Sequence, residues 1–325
     1  MNDNGYVLRV ENLDVQYHTD AGTVYANSQV SFNLKPGERL GLVGESGSGK
    51  STLALAILGM IKPPGRIGGG EIWLENTDLV KLPEEAIRQV RGRQVSMIPQ
   101  GAMNSLNPVA RIKDQLIDGM IDHELGLSRS EMNRMVREAL EAVELDPQVA
   151  QMYPHELSGG MKQRACIAIA IAMNPKVIIA DEPTSALDVV TQRQVMQTIG
   201  HLQAQLGSAV ILIGHDMGLM AQFVDRIAVM YAGKLVELGS VKDTFTHPMH
   251  PYTQMLISSL PRLENKGTFN GIPGITPLLR EIPTDCVFNS RCPQAIPICM
   301  QRVPKLLEHR PNQWAACHLY QSEEN

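Results

Sequence analysis

No apolar stretch of this 325-residue chain approaches the roughly 18 residues that span a bilayer. The longest, Ala165 to Met173, has nine. The opening Met-Asn-Asp-Asn-Gly lacks the basic, then apolar, order of a secretion signal. A basic excess is missing as well, and a net charge of −5 argues against a nucleic-acid partner. Cysteines paired as C-x-x-C, the framework of common zinc sites, do not occur. What is present is an apolar fraction of 43% and a charged fraction of 19%, the balance of a globular protein. The length suits one large domain with an appendage, or two modest ones. Any work at a membrane is expected to be done by docking from the cytosol.

The run Gly44-Glu45-Ser46-Gly47-Ser48-Gly49-Lys50-Ser51 fits the phosphate-binding pattern G-x-x-x-x-G-K-[ST]. An apolar strand candidate, Leu40 to Val43, leads in, and Thr52 to Leu58 leads out with helix-compatible residues. Glycines let such a loop turn its backbone N–H groups toward anionic oxygens. The following helix adds its positive end to the same phosphates. Lys50 is expected to neutralise the β- and γ-phosphates of a bound nucleotide, with the Ser51 hydroxyl completing a Mg2+ shell.

Further on, Val177-Ile178-Ile179-Ala180-Asp181-Glu182 reads as a buried parallel strand with acids at its C-terminal tip. Ligands of open α/β sheets bind at that edge. Asp181 suits an outer-shell Mg2+ role, and Glu182 suits the base that positions or deprotonates attacking water. Between these two constellations lies Leu157-Ser158-Gly159-Gly160-Met161-Lys162-Gln163. This segment resembles the signature sequence of the ATP-binding subunits of ABC transporters.

Other motifs of that family occur in the expected order. Gln100, ending Val95 to Gln100, is similar to the Q-loop residue that meets Mg2+ and water. Ser185-Ala186-Leu187-Asp188 resembles the D-loop, and His215 after Val210 to Ile213 resembles the histidine that bonds the γ-phosphate. Tyr17 is the first candidate for stacking on adenine, with Tyr25 second. The resemblance spans roughly residues 6–260. It implies a P-loop NTPase core of α/β class, binding ATP with Mg2+ through Gly44, Ser46, Gly47, Ser48, Gly49, Lys50, Ser51, Thr52, Gln100, Asp181, Asp188 and His215. Ser158, Gly159 and Gly160 are implied to meet ATP held by a partner chain, since they open another helix whose N–H groups can receive an anion.

The expected organisation is an ABC ATP-binding domain over 1–260, with a helical subdomain at about 101–160, and an extension over 261–325. In the helical stretch, Ser128 and Glu131 form a capping-box pattern. After it Met132, Met135, Val136, Ala139, Leu140 and Val143 recur at helical spacing, with the methionines read as core. The His250-Pro251-Tyr252-Thr253 stretch and the prolines at 261, 273, 277 and 283 suggest a linker and a loop-rich tail. That tail, together with Ser105-Leu106-Asn107-Pro108, resembles the peptide-type branch of ABC importers. Gly101-Ala102 departs from it, standing where these relatives carry an acidic residue and proline.

The branch implies ATP hydrolysis driving uptake of di- or oligopeptides, although oligosaccharides and nickel are also carried within it. It implies two membrane permease subunits, a second ATPase subunit in a hetero- or homodimer, an extracytoplasmic solute-binding protein and no nucleic acid. The chain would then be peripheral, on the cytoplasmic face of the inner membrane. The rival reading is a soluble ABC ATPase uncoupled from transport. A second cassette or a long coiled-coil insertion would favour it, and this chain has neither.

Four of five cysteines, Cys286, Cys292, Cys299 and Cys317, crowd the tail, whereas Cys166 falls on an apolar helix and reads as buried and inert. Clustered thiols in a cytosolic protein favour a metal centre. Spacings of five, six and seventeen intervening residues choose no particular one. The resemblance to di- and oligopeptide importer subunits implies a 4Fe-4S cluster on these four, with zinc as the alternative.

Overall fold

The computed structural model describes residues 5–101, 105–185, 187–260 and 271–321. Residues 1–4, Ala102, Ala186 and Pro261, all named above, lie outside the described residues. The chain divides into two compact units. The first comprises Met1–Leu8, Leu34–Glu38 and Lys81–Ile213; the second comprises Arg9–Asn33, Arg39–Val80 and Gly214–Asn325.

In the first unit the strands Val95–Ile98, Val177–Asp181 and Ala209–Gly214 pair in parallel, with Val95 opposite Val177 and Val177 opposite Ala209. The middle strand is buried along its whole length, which is why it is a run of Val, Ile and Ala rather than an alternation. Helices Ile112–Asp122, Arg129–Ala142 and Gly159–Ile171 pack on one another. Ser128 caps the second through the expected box: Glu131 N–H donates to Ser128 Oγ at 3.3 Å, and Ser128 N–H to Glu131 Oε2 at 2.8 Å. Val136, Ala139, Leu140 and Val143 are buried as their spacing predicts. Met132 and Met135 are only half-buried, because they flank the apolar face rather than occupy it.

In the second unit Arg39–Val43 runs parallel to Arg226–Tyr231, with Val43 opposite Val229. Lys234–Ser240 then pairs antiparallel with Arg226–Tyr231. The tail, read from sequence as loop-rich, extends this sheet with Gln313–Ala315 and Leu307–Arg310. A second sheet has the order Gly22–Leu34, Leu8–Thr19, Gly65–Leu74, Thr77–Asp78.

The tail is fastened to a buried cluster in which Tyr231 lies 4.7 Å from Tyr252 and 5.0 Å from Phe288, ring centre to ring centre. All three side chains are fully buried. The His-Pro-Tyr-Thr stretch has a structural explanation here. Buried Glu237 accepts from the N–H groups of Met249 at 2.9 Å and His250 at 2.8 Å, fixing the approach to helix Pro251–Ser258. His250 Nδ1 accepts from Tyr252 N–H at 3.1 Å and so caps that helix. Burial pushes the His250 pKa down to about 3, so the ring is neutral and able to accept. Pro251 fills the first helical position, where a missing N–H costs nothing.

Candidate nucleotide site

The phosphate-loop pattern folds as a strand, a tight loop and a helix within the second unit. Strand Arg39–Val43 is buried from Leu40 onward and delivers the chain to Gly44. A Cβ on Gly44 would lie 2.2 Å from the Met230 carbonyl oxygen, and one on Gly49 would lie 2.3 Å from that of Ala26. Only glycine therefore lets the loop pass this close to neighbouring backbone. Helix Lys50–Ile57 starts from a left-handed Gly49 with no side chain capping it. Glycine at the cap brings no side-chain oxygen to the first turn, and a helix N-terminus of this kind is suited to receive a phosphate.

Lys50, 7% exposed, folds back over the loop. Its Nζ donates to the carbonyls of Gly44 at 2.8 Å and Glu45 at 2.9 Å, and to Ser48 Oγ at 3.2 Å. Ser46, Gly47 and Ser51 are exposed, Thr52 is half-buried, and Ser48 is buried. Asn27 Nδ2 donates to the Gly49 carbonyl at 3.1 Å and steadies the end of the loop.

Sequence reasoning missed how Glu45 is held. Arg291 grips its carboxylate with both prongs, Nη1 to Oε2 at 2.7 Å and Nη2 to Oε1 at 3.0 Å. Thr276 donates to the same Oε2, and Glu45 N–H donates to Tyr252 Oη at 2.9 Å. Burial alone would raise the Glu45 pKa, but Arg291, Thr276 and Lys50 outweigh it and hold the carboxyl below its ordinary value. Glu45 and Arg291 are 246 residues apart, and no local pattern links them.

In the first unit Asp181 ends its strand 3% exposed, and Glu182 follows with φ 44°. That left-handed conformation is uncommon for a side chain of this size and is a form of strain that collects at functional positions. Glu182 N–H donates to the Ile213 carbonyl at 3.0 Å, which sets the turn. Its Oε2 accepts from Gln100 Nε2 at 2.8 Å, although the two residues are 82 apart in sequence.

Ser158 and Gly159 are exposed at the start of helix Gly159–Ile171, with Ser158 Oγ accepting from Met161 N–H at 3.3 Å. Gly160 faces Thr191, and a Cβ there would reach its Cγ2 at 3.4 Å. Asp188 is occupied as the cap of helix Val189–Leu206: one oxygen accepts the N–H groups of Val190 and Thr191, each at 3.0 Å. The Thr191 side-chain hydrogen bond, with these, lowers its pKa. An Asp just before a helical run is a cap signal that could have been read from sequence.

His215 stands exposed in the second unit, directly after strand Ala209–Gly214. Tyr17 is half-buried with its ring close over Gly65, where a Cβ would meet Cε1 at 2.6 Å. Tyr25 N–H donates to the Leu279 carbonyl at 2.8 Å.

The metal centre expected on the tail cysteines is corrected by the structure. Among the described residues, no group of three or more His, Cys, Asp or Glu is arranged to hold a metal ion. Burial also pushes Cys286 up to about 11 and Cys317 up to about 12, and raises Cys292. Neither the 4Fe-4S cluster nor the zinc alternative is retained. Cys166 is buried, with its pKa raised to about 12 by burial, the state of an inert thiol.

Comparison with known proteins places these features. The family pattern "ABC transporter" matches residues 27–185, and "Oligopeptide/dipeptide transporter, C-terminal region" matches 236–299. Among solved structures, a dimeric bacterial ABC transporter cassette, MJ0796, is 29% identical with a TM-score of 0.65. The match covers 72% of this chain and 98% of that one. The same cassette in a post-hydrolysis state with ADP and Pi is 30% identical with a TM-score of 0.64. The fold and the site thus define an ATPase of the ATP-binding cassette class, with an α/β P-loop NTPase core.

Two relatives extend the match to nearly the full chain. The oligopeptide transport ATP-binding protein OppD of Salmonella typhimurium is 42% identical over 96% of this chain and 93% of its own length. The dipeptide transport ATP-binding protein DppD of Haemophilus influenzae is 44% identical over 96% and 95%. The chain belongs to the oligopeptide/dipeptide branch of the ABC transporter ATP-binding family.

Proposed function

We propose that this chain is the ATP-hydrolysing subunit of an importer for di- or oligopeptides, peripheral at the cytoplasmic face of the membrane. The observation that carries the reading is the uncapped helix behind a glycine loop, with Lys50 held over that loop. Lys50 would leave its carbonyl partners for the β- and γ-phosphates, a stronger acceptor set for an ammonium. Gly44, Ser46, Gly47, Ser48, Gly49 and Thr52 would present the loop's N–H and hydroxyl groups, and Tyr17 would stack on adenine.

The hydroxyl of Ser51 would complete the Mg2+ shell and the carboxylate of Asp181 would act from the ion's outer shell, and the ion when bound would neutralise phosphate charge. Glu182, oriented by Gln100, would deprotonate or position water; His215 would bond the γ-phosphate. Two permease subunits, an extracytoplasmic solute-binding protein and a second ATPase chain, the same or different, complete the assembly. Supporting the peptide reading over an uncoupled ATPase is the C-terminal region matched over 236–299. Copurification with membrane subunits, and ATP-dependent peptide uptake by the reconstituted assembly, test it; a chain that hydrolyses ATP but never associates with a membrane protein would refute it.

The signature gives a second test. Ser158 is exposed, and in this reading it and Gly160 meet ATP bound by the partner chain. Ser158→Arg should leave ATP binding by the isolated subunit unchanged while abolishing hydrolysis by the assembly. Loss of the Ser158 cap should cost about 1 kcal/mol of stability. If the variant instead loses its own ATP affinity, the signature acts within the chain and the sandwich arrangement is wrong.

A further inference from the structure

Every polar group of Glu45 is occupied by something that bears on the phosphate loop. Its carbonyl accepts from Lys50 Nζ at 2.9 Å, and its N–H donates to Tyr252 Oη at 2.9 Å. Its carboxylate takes Thr276 and both prongs of Arg291. Arg291 is itself fixed from several sides. Its Nε donates to the Pro273 carbonyl at 2.7 Å, Nη1 to Tyr231 Oη at 3.2 Å, and Nη2 to the carbonyls of Ile272 and Gly274 at 3.3 Å. The guanidinium also lies 5.6 Å from the Tyr231 ring centre. The Arg291 side chain is 6% exposed and that of Glu45 is 27% exposed, so water screens the pair weakly. The strap holding Glu45 thus comes from the C-terminal region, more than 200 residues from the loop it touches.

A carboxylate inside a loop that receives a polyphosphate is a liability, because it repels the ligand and competes for the loop's cation. Lys50 is the cation at risk, since its ammonium already sits on the Glu45 carbonyl. We infer that Arg291, aided by Thr276, is a positioning residue for nucleotide binding: it sequesters the Glu45 carboxylate so that Lys50 remains available to phosphate. This rests on the nucleotide-site reading above and adds a role for the C-terminal region in that site. The arrangement makes the loop's affinity for ATP depend on whether the tail is docked.

The test is equilibrium binding of MgATP to the full-length chain, with thermal melting alongside. Arg291→Met leaves the Glu45 charge uncompensated and should weaken MgATP binding by about tenfold or more, one uncompensated charge being worth at least that factor. Adding Glu45→Gln removes the charge and should restore the dissociation constant to within about threefold of wild type. A purely structural staple predicts that affinity and melting temperature fall and recover together, whereas a positioning role weakens binding in Arg291→Met beyond what its folded fraction accounts for.

An unchanged dissociation constant in Arg291→Met, or no recovery in the double variant, overturns the inference. If Arg291→Met alone does not fold, the double variant decides: near-wild-type affinity supports the inference, and a tenfold loss overturns it. Lys50→Ala run in parallel separates the two levels. If it retains wild-type affinity, the nucleotide-site reading fails; if it loses affinity while Arg291→Met does not, only the role of the tail fails.

Discussion

Replacing Glu182 with Gln should leave ATP bound and slow its hydrolysis by at least about 10²-fold, the scale of a lost general base. The substitution keeps the size of the side chain and one oxygen able to accept from Gln100, so the 2.8 Å contact need not be lost. What disappears is the capacity to accept a proton from water. The backbone holds the side chain in place. Glu182 sits at φ 44°, in a region that costs of order 1–3 kcal/mol, and the strain is held by its N–H bond to Ile213. A residue that only filled space would gain stability by relaxing or by being glycine. Single-turnover hydrolysis by the assembled transporter, with retained ATP counted by filter binding, checks it. Wild-type turnover in Glu182→Gln would remove Glu182 from the chemistry.

The local signals of this chain were legible because each depends on a few adjacent residues. A glycine loop between an apolar strand and a helix reads at once, since Gly44 and Gly49 have no substitute where backbone passes so near. The capping box at Ser128 and the buried Val177–Asp181 strand follow from spacing and apolarity in the same way. Singling out Gln100 needed motif order as well as pattern, because a polar residue ending a strand has many uses, and its hydrogen bond to Glu182 is visible only in the fold.

What escaped were the long-range contacts. Nothing near Arg291 points to Glu45, and the purpose of the His-Pro-Tyr-Thr stretch appears only when Tyr252 reaches the loop and His250 caps a helix from a buried position. The cysteines misled for a related reason. Proximity in sequence says that thiols are close along the chain, but not that their donor atoms are arranged around an ion, and among the described residues no such group occurs. Asp188, whose place in a family motif marks it as a site candidate, is also the cap of helix Val189–Leu206.

Gly44→Ala should weaken ATP binding by about 10²-fold or more, although the change adds a single methyl group. The added Cβ would stand 2.2 Å from the Met230 carbonyl oxygen and 2.9 Å from Ser48 Oγ. The first of these cannot yield cheaply. Met230 belongs to the buried strand Arg226–Tyr231, whose partners on both sides, Arg39–Val43 and Lys234–Ser240, hold its backbone in register. The loop must move instead, carrying with it the Gly44 carbonyl on which Lys50 Nζ rests. Losing one or two charge-assisted hydrogen bonds to phosphate, at about 1.5–3 kcal/mol each, is enough for a loss of this size.

Gly47→Ala is the control for stability. Its φ of +78° strains any side chain, but a Cβ there meets nothing within 4 Å. Without nucleotide, Gly47→Ala should cost only about 1–2 kcal/mol, the penalty of the left-handed backbone alone. Gly44→Ala should melt at a clearly lower temperature, because a steric clash adds to its strain. Equal melting temperatures for the two variants, or wild-type MgATP affinity in Gly44→Ala, would mean that the Met230 carbonyl does not fix the position of the phosphate loop.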